Sequence, residues 1–187
     1  MAGTEFVLIR HAPVVSDGRV YGRRDLGADL SDTAALLRMA EAVGDPGVLR
    51  TSPARRCQET AKALWPALLA DQDPALWEQS LGLWEGSDPA SLPDLGPMSR
   101  LDLANHHPPS GESFSEMCHR TAPAFRPVKG VTRVTIVAHA GTVRAALAYA
   151  LGHVPPALAF EVRPLSITRI LILPDGQSVI HEVNRCP

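Results

Sequence analysis

Arginines and histidines recur where short apolar runs of this chain give way to loops, and their types suit anion chemistry. Arg10 and His11 end the run Phe6-Val7-Leu8-Ile9, which Pro13 prevents from continuing. His139 ends a second run, Val131 to Ala138, and Arg56 follows Ser52-Pro53 just after Val48-Leu49. Guanidinium forks match phosphate oxygens bidentately. A helix N-terminus beside them adds free N–H groups and a favourable dipole. A neutral imidazole in such a place is a nucleophile near pH 7, and adjacent arginines lower its pKa further. Attack on phosphorus also needs a proton donor for the leaving oxygen. Glu78 and Glu85, close in sequence and flanked by Trp77 and Trp84, are both candidates, because a carboxyl beside apolar surface keeps its proton more readily.

The elements that must bring these residues together are legible in the spacing. Phe6–Ile9 reads as a buried strand covered on both faces, ending where open α/β sheets bind ligands. Val14 to Leu30 is a long loop with Tyr21-Gly22-Arg23-Arg24-Asp25 at its polar centre, and loops of that length are usually functional. Ser31 and Asp32 are capping types before a helix over Ala34–Val43 with Leu36, Leu37, Ala40 and Val43 inward, stopped by Gly44. Ser52 as cap and Pro53 as first residue predict a second helix, with Cys57, Ala61, Leu64 and Trp65 inward. Arg56 then lies in its first turn, distinguished from Arg55 only by adjoining Cys57. Ser87 to Ser110, rich in proline, reads as an excursion from the sheet with a weak helical hint near Met98–Leu103. A helix over Glu112–Phe125 follows, with Phe114, Met117, Cys118 and Thr121 on one side. After His139 comes a helix with Val143, Ala146, Leu147, Ala150 and Leu151 inward and Gly152 at its end. Ser166–Leu173 and Ser178–Val183 form a hairpin around Pro174-Asp175-Gly176. Strand–helix alternation predicts an α/β fold with a mostly parallel sheet, so the strand ends bearing Arg10, His11, Arg56 and His139 share one edge.

Composition sets the bounds. The chain's 187 residues predict a single domain over 1–187, with an irregular excursion at about 87–110. Eighteen basic against twenty acidic residues give a net charge of -2, which makes no electrostatic case for a nucleic-acid or membrane partner. No apolar run approaches the roughly 18 residues of a membrane span, and Glu5 and Arg10 break any signal-like stretch. Cys57, Cys118 and Cys186 are far apart without CxxC spacing, which predicts reduced thiols and a cytoplasmic protein. His106 and His107 precede two prolines, and His119, His153 and His181 have no partner at metal-ligand spacing, so no metal is expected. Taken singly, Arg10 is an ordinary surface arginine and His139 a turn histidine; only the joint pattern points to a site.

That pattern resembles a known family. Leu8-Ile9-Arg10-His11-Ala12 is similar to the Arg-His-Gly signature of the histidine phosphatase (phosphoglycerate mutase-like) superfamily. Ser52-Pro53-Ala54-Arg55-Arg56 resembles its Ser-Pro-x-x-Arg block. Leu76-Trp77-Glu78 through Trp84-Glu85-Gly86 resembles its Glu-containing block, whose first Glu is the usual proton donor. Gly111-Glu112-Ser113 and Val137-Ala138-His139-Ala140-Gly141-Thr142-Val143-Arg144 match two further blocks in order. Val20-Tyr21-Gly22-Arg23-Arg24-Asp25-Leu26 looks like the branch containing α-ribazole-5′-phosphate phosphatases of cobalamin synthesis.

The resemblance implies a three-layer α/β/α sandwich and a phosphomonoesterase acting through a phosphohistidine. His11 would be the nucleophile, Arg10, Arg56 and His139 the holders of the phosphoryl oxygens, and Glu78 the proton donor. Arg23, with Tyr21 and Gly22, would lie beside a small phosphate-monoester substrate, possible candidates including α-ribazole 5′-phosphate. No cofactor or metal is implied. Ala12 and Ala140 stand where the family commonly has glycine, each adding a methyl near the phosphate pocket, and Ala12 requires a backbone that avoids positive φ. The alternatives are a phosphoglycerate mutase, although typical mutases are longer, and a non-catalytic phospho-ligand binder.

Overall fold

The computed structural model describes residues 3–187. Six strands form one sheet: β1 (Thr4–Arg10), β2 (Val48–Thr51), β3 (Asp71–Gln72), β4 (Arg133–Ala138), β5 (Ile167–Ile172) and β6 (Ser178–Arg185), in the spatial order β3-β2-β4-β1-β5-β6. The first four in that order are mutually parallel, while β5 runs antiparallel to β1 and β6 antiparallel to β5. The hairpin of β5 and β6 is thus an antiparallel addition to a parallel core, as the Pro174-Asp175-Gly176 turn predicts. The two-residue edge strand β3 has no sequence signal.

Six α-helices occur among the described residues: α1 (Thr33–Val43), α2 (Arg55–Leu64), α3 (Arg100–Asn105), α4 (Phe114–Thr121), α5 (Ala140–Leu151) and α6 (Val154–Ala157). The unbroken apolar run of β1 explains the layering. Val7 and Ile9 face α1 and α2 in one core, with Met39, Cys57 and Leu64. Phe6 and Leu8 face the opposite way, into a larger core with Phe114, Met117, Phe125 and Leu147. Successive strand side chains alternate faces, so a strand covered on both sides must be apolar at every position. Each such fully buried side chain contributes about 1.5–3 kcal/mol.

Helix boundaries follow local chemistry with several departures from expectation. Asp32 caps α1 by accepting from the Ala35 N–H, and Ser113 with Glu116 forms a reciprocal capping box on α4. The inward face of α1 is Leu36, Met39 and Val43, whereas Leu37 is 65% exposed. A residue one position from the buried stripe is carried about 100° around the helix, which takes Leu37 off it. The helix expected over Glu112–Phe125 stops at Thr121, and Pro123 turns the remainder into a 3₁₀ turn, Ala122–Phe125. Leu151 is exposed at the end of α5, where Gly152 takes the left-handed conformation that ends the helix. Ser52 does not cap α2: the helix starts at Arg55 after Ala54, with no side-chain cap. The excursion over 87–110 holds α3 and returns to the sheet side, where the His106 ring stacks on Trp84 with centroids 5.5 Å apart.

Register is what positions the site. Arg10 lies level with Ala138, and Thr51 with Val137, so β1, β4 and β2 leave the sheet together. The residues that follow, His11, Ser52 and His139, therefore meet at one edge.

Candidate active site

His11 and His139 face each other across that edge, ring centroids 5.3 Å apart and nearly perpendicular. His11 is 2% exposed, and its Nδ1 lies 2.6 Å from the Ala12 carbonyl oxygen. A carbonyl only accepts, so the proton sits on Nδ1 and Nε2 keeps its lone pair. Burial pushes the His11 pKa down to about 3, with the Ala12 bond opposing and the Arg56 and Arg10 charges adding to the fall. The imidazole is therefore neutral over the physiological range.

The turn after His11 keeps its geometry with alanine in the glycine position. Ala12 is fully buried, is not among the residues of positive φ, and its N–H donates to Thr60 Oγ1 at 3.0 Å. The Thr60 hydroxyl donates in turn to the Arg56 carbonyl at 2.7 Å, which ties the turn to α2.

Arg56 is fully buried, and its hydrogen bonds go to main-chain oxygens and a histidine. Its Nη1 donates to the Arg24 carbonyl at 2.9 Å, and Nη2 to the Gly22 carbonyl at 2.7 Å and His139 Nδ1 at 3.1 Å. Arg10 Nη1 donates to the Val162 carbonyl at 2.7 Å. Among the described residues no carboxylate pairs with either guanidinium, and the Nε of each is buried without a protein partner. Buried cations ordinarily carry a hydrogen-bonded counter-charge; neither guanidinium of this cage has one here, and the Glu78 carboxyl reaches them only through space. Because Arg56 can only donate, His139 Nδ1 accepts, and its proton sits on Nε2, 2.8 Å from Ser52 Oγ. That contact is what Ser52 does instead of capping α2. Burial holds the His139 pKa well below its usual value, with Arg56, His11 and Arg10 adding to the shift.

Of the two candidate carboxyls, the structure brings Glu78 to the cage and employs Glu85 elsewhere. Glu78 Oε2 accepts from the Gly141 N–H at 3.2 Å and Oε1 from its neighbour Gln79 at 3.0 Å. Burial raises its pKa; those hydrogen bonds and the Arg56 and Arg10 charges act in the other direction. Gly141, in the first turn of α5, permits this approach, since an added Cβ there would overlap Glu78 Oε1. Glu85 accepts three main-chain N–H groups instead, from Arg23 at 2.9 Å, Leu81 at 3.0 Å and Arg24 at 2.7 Å. It is a clamp that joins the 20–25 loop to the 81–86 turn. Gly22 is packed in that junction so closely that a Cβ would run into the Gln79 carbonyl.

The segment carrying Glu78 is held from outside by an ion pair. Arg120 meets both oxygens of Glu112, at 2.6 and 3.1 Å, and donates to the carbonyls of Ala75 at 2.7 Å and Trp77 at 3.0 Å. Arg23, expected beside substrate, spends its guanidinium on Glu112 Oε1 at 3.0 Å and the Glu78 carbonyl at 3.2 Å, at the rim. Tyr21, Gly22 and Ala140 do border the cleft above Glu78, a space of about 190 Å³, and Arg56 lies over the Tyr21 ring at 5.5 Å. A larger hollow of about 580 Å³ beside Val128 and Pro174 lies at the opposite end of β1 and lacks a cluster of acids or histidines.

The structure brings Arg10, His11, Arg56, His139 and Glu78, the residues expected at the site, to one edge of the sheet. Sequence reasoning missed Ser52, Thr60, Glu112, Arg120 and the spacing role of Gly141. Glu112 and Gly141 lay within recognisable blocks, but each of the five has at least one partner remote in sequence: His139 for Ser52, Ala12 for Thr60, Ser80 for Glu112, Ala75 for Arg120 and Glu78 for Gly141.

The model of the histidine phosphatase superfamily (branch 1) matches residues 6–185, and the chain belongs to that superfamily. No curated protein matches it in sequence. Among solved structures, a mycobacterial glucosyl-3-phosphoglycerate phosphatase is similar at TM-score 0.82 and 23% identity, covering 97% of this chain and 99% of that one. A phosphoserine phosphatase mutant from Entamoeba histolytica gives 0.80 at 18% identity, covering 98% of each chain. An Escherichia coli protein described provisionally as an α-ribazole-5′-phosphate phosphatase gives 0.80 at 18% identity, over 98% of this chain and 97% of that one. All three are under 25% identical to this chain, so their likeness speaks for the shared fold and assigns no branch. No helix among the described residues is long and apolar enough to cross a membrane.

Proposed function

We propose that this superfamily phosphatase hydrolyses small phosphorylated metabolites through a phosphohistidine on His11. The observation that carries the reading is the pair of a half-buried Arg10 and a fully buried Arg56 beside a neutral His11 Nε2, with no carboxylate among the described residues hydrogen-bonded to either guanidinium. A phosphoryl dianion supplies that charge. Its oxygens would lie against Arg10, Arg56 and His139, leaving phosphorus in line with Nε2. A dianion also offsets the guanidinium charges that depress His139, which favours a second N–H on that ring. Nε2 attacks phosphorus, the ester P–O bond breaks, and Glu78 gives its proton to the departing oxygen. Glu78, now a carboxylate, takes a proton from water as the water attacks the phosphohistidine, which releases phosphate and restores both groups.

The substrate is a small molecule. The similar structures are described as phosphatases of glucosyl-3-phosphoglycerate, phosphoserine and α-ribazole 5′-phosphate, all phosphomonoesters of metabolites. For α-ribazole 5′-phosphate, the support is the Tyr21-Gly22-Arg23 segment at the cleft; Arg23's engagement with Glu112 weighs against a direct contact in this state. Three free cysteines fit a reducing, cytoplasmic setting. The test is rapid acid-free quenching during turnover of p-nitrophenyl phosphate, followed by mapping of the labelled residue. Phosphate on His11, and no turnover by His11→Ala, is the expected result. Label on another residue, or turnover by the variant, refutes the mechanism.

A further inference from the structure

We propose that Arg144 receives an anionic group on the leaving portion of the substrate, so that the preferred esters carry a carboxylate or second phosphate close to the ester oxygen. The inference rests on the phosphomonoesterase reading and names its substrate class. Arg144 sits one turn along α5 from Ala140, and both border the cleft that holds Glu78. Its Nε donates to the Phe160 carbonyl at 2.9 Å, which fixes the plane of the guanidinium. The two terminal nitrogens have no protein partner and are not among the polar atoms sealed from solvent. Among the described residues no carboxylate forms an ion pair with this side chain.

The other cations near the cleft are already engaged. Arg56 and Arg10 belong to the phosphate cage, Arg23 is held by Glu112, and Arg120 by Glu112 and carbonyl oxygens. Arg144 is half-buried, and burial lowers its pKa while Glu78 opposes and Arg10 adds to the fall; both charges are therefore within its electrostatic reach. Position decides what such a cation can meet. A phosphate in the cage places its ester oxygen at Glu78, and the leaving group must then extend into the same cleft as Arg144. That cleft is only about 190 Å³, with Phe114, Leu81 and Leu158 in its walls, so the group is small. A fixed guanidinium plane suits a carboxylate or a phosphate over a neutral hydroxyl.

The test compares kcat/KM for esters that differ only in the anionic group: 3-phosphoglycerate against glycerol 3-phosphate, and propane-1,3-diol bisphosphate against its monophosphate. The expected preference in one or both pairs is about ten- to a hundredfold, the worth of one hydrogen-bonded charge pair. The first pair speaks for a carboxylate and the second for a phosphate. Arg144→Gln should bring the ratio towards one, and Arg144→Lys should restore part of it. For pairs not turned over, the same ratio is read from inhibition of p-nitrophenyl phosphate hydrolysis. Ratios within twofold of one in both pairs, or an Arg144→Gln loss equal for charged and neutral members, overturn the proposal while leaving the phosphatase reading intact. Absence of any turnover and of phosphohistidine overturns both.

Discussion

Gly141→Ala should injure proton donation while sparing the fold. The added Cβ would overlap Glu78 Oε1 and approach Glu78 Cδ at 3.1 Å and Met117 Sδ at 2.9 Å. Met117 is fully buried in the larger core and has little room to move, so the carboxyl must yield. Its 3.2 Å bond from the Gly141 N–H then lengthens, and Glu78 no longer meets the ester oxygen. General acid catalysis contributes about 10²–10⁴-fold, roughly 3–5 kcal/mol, so alkyl phosphates should lose that much kcat/KM. p-Nitrophenyl phosphate, whose leaving group needs little protonation, should lose much less. Alanine is favoured over glycine in a helix by up to about 1 kcal/mol, which offsets the local crowding, so the thermal midpoint should hold within a few degrees. The assay is log(kcat/KM) against leaving-group pKa for a series of monoesters. The variant should show a steeper fall with rising pKa, Glu78→Gln the same fall, and the double variant no further steepening. A uniform loss across the series, or additive slopes in the double variant, would show that Gly141 does not act through Glu78.

Two further outcomes follow from the same geometry. Glu85→Gln should lower stability by about 1–3 kcal/mol, because the amide keeps one acceptor oxygen and turns its NH₂ onto a main-chain donor that then has no acceptor, and should lower activity evenly across leaving groups; a leaving-group-selective loss would exchange the roles of Glu85 and Glu78. The buried histidines set a pH dependence. His11 titrates near 3 in the folded protein and near 6.5 when unfolded, so below 6.5 the unfolded chain binds the extra proton. Stability should therefore fall as pH drops from about 6.5 towards 3, with His139 acting in the same direction. His11→Asn should flatten part of that slope in denaturant midpoints measured across this window, and an unchanged slope would contradict a neutral, buried His11.

What was legible in the sequence was whatever local chemistry decides. The apolar run of β1, its arrest before Pro13, and the strand-to-helix junctions at Arg56 and His139 are each written in a few neighbouring residues, and parallel topology then fixes their meeting. The family resemblance supplied the choice of Glu78; the structure shows the two carboxyls in different places, Glu85 on three main-chain donors and Glu78 in the space above Gly141. Ser52 was misplaced because a serine before proline has the composition of a cap, while its contact, His139, lies 87 positions away. Arg120 and Arg144 gave no signal as site residues, since an arginine on a helix is ordinarily a solvated one. Their engagement depends on carbonyls of Ala75, Trp77 and Phe160, which no side-chain pattern announces.

The manner in which Arg56 is held bears on how such a pocket can change. Its anchors in the 20–25 loop are the carbonyl oxygens of Gly22 and Arg24, and Glu85 secures that loop through N–H groups alone. Both fastenings are indifferent to which side chains project from positions 23 and 24, provided Gly22 keeps its close approach to Gln79, while Tyr21 under the guanidinium and Asp25, which accepts the Arg55 N–H, are the side chains that bear on α2. Mutation can therefore remodel what the loop presents to the cleft while Arg56 stays in register. Selectivity and phosphoryl chemistry are in this sense separately inheritable, a division that lets one scaffold drift among substrates without first losing its reaction.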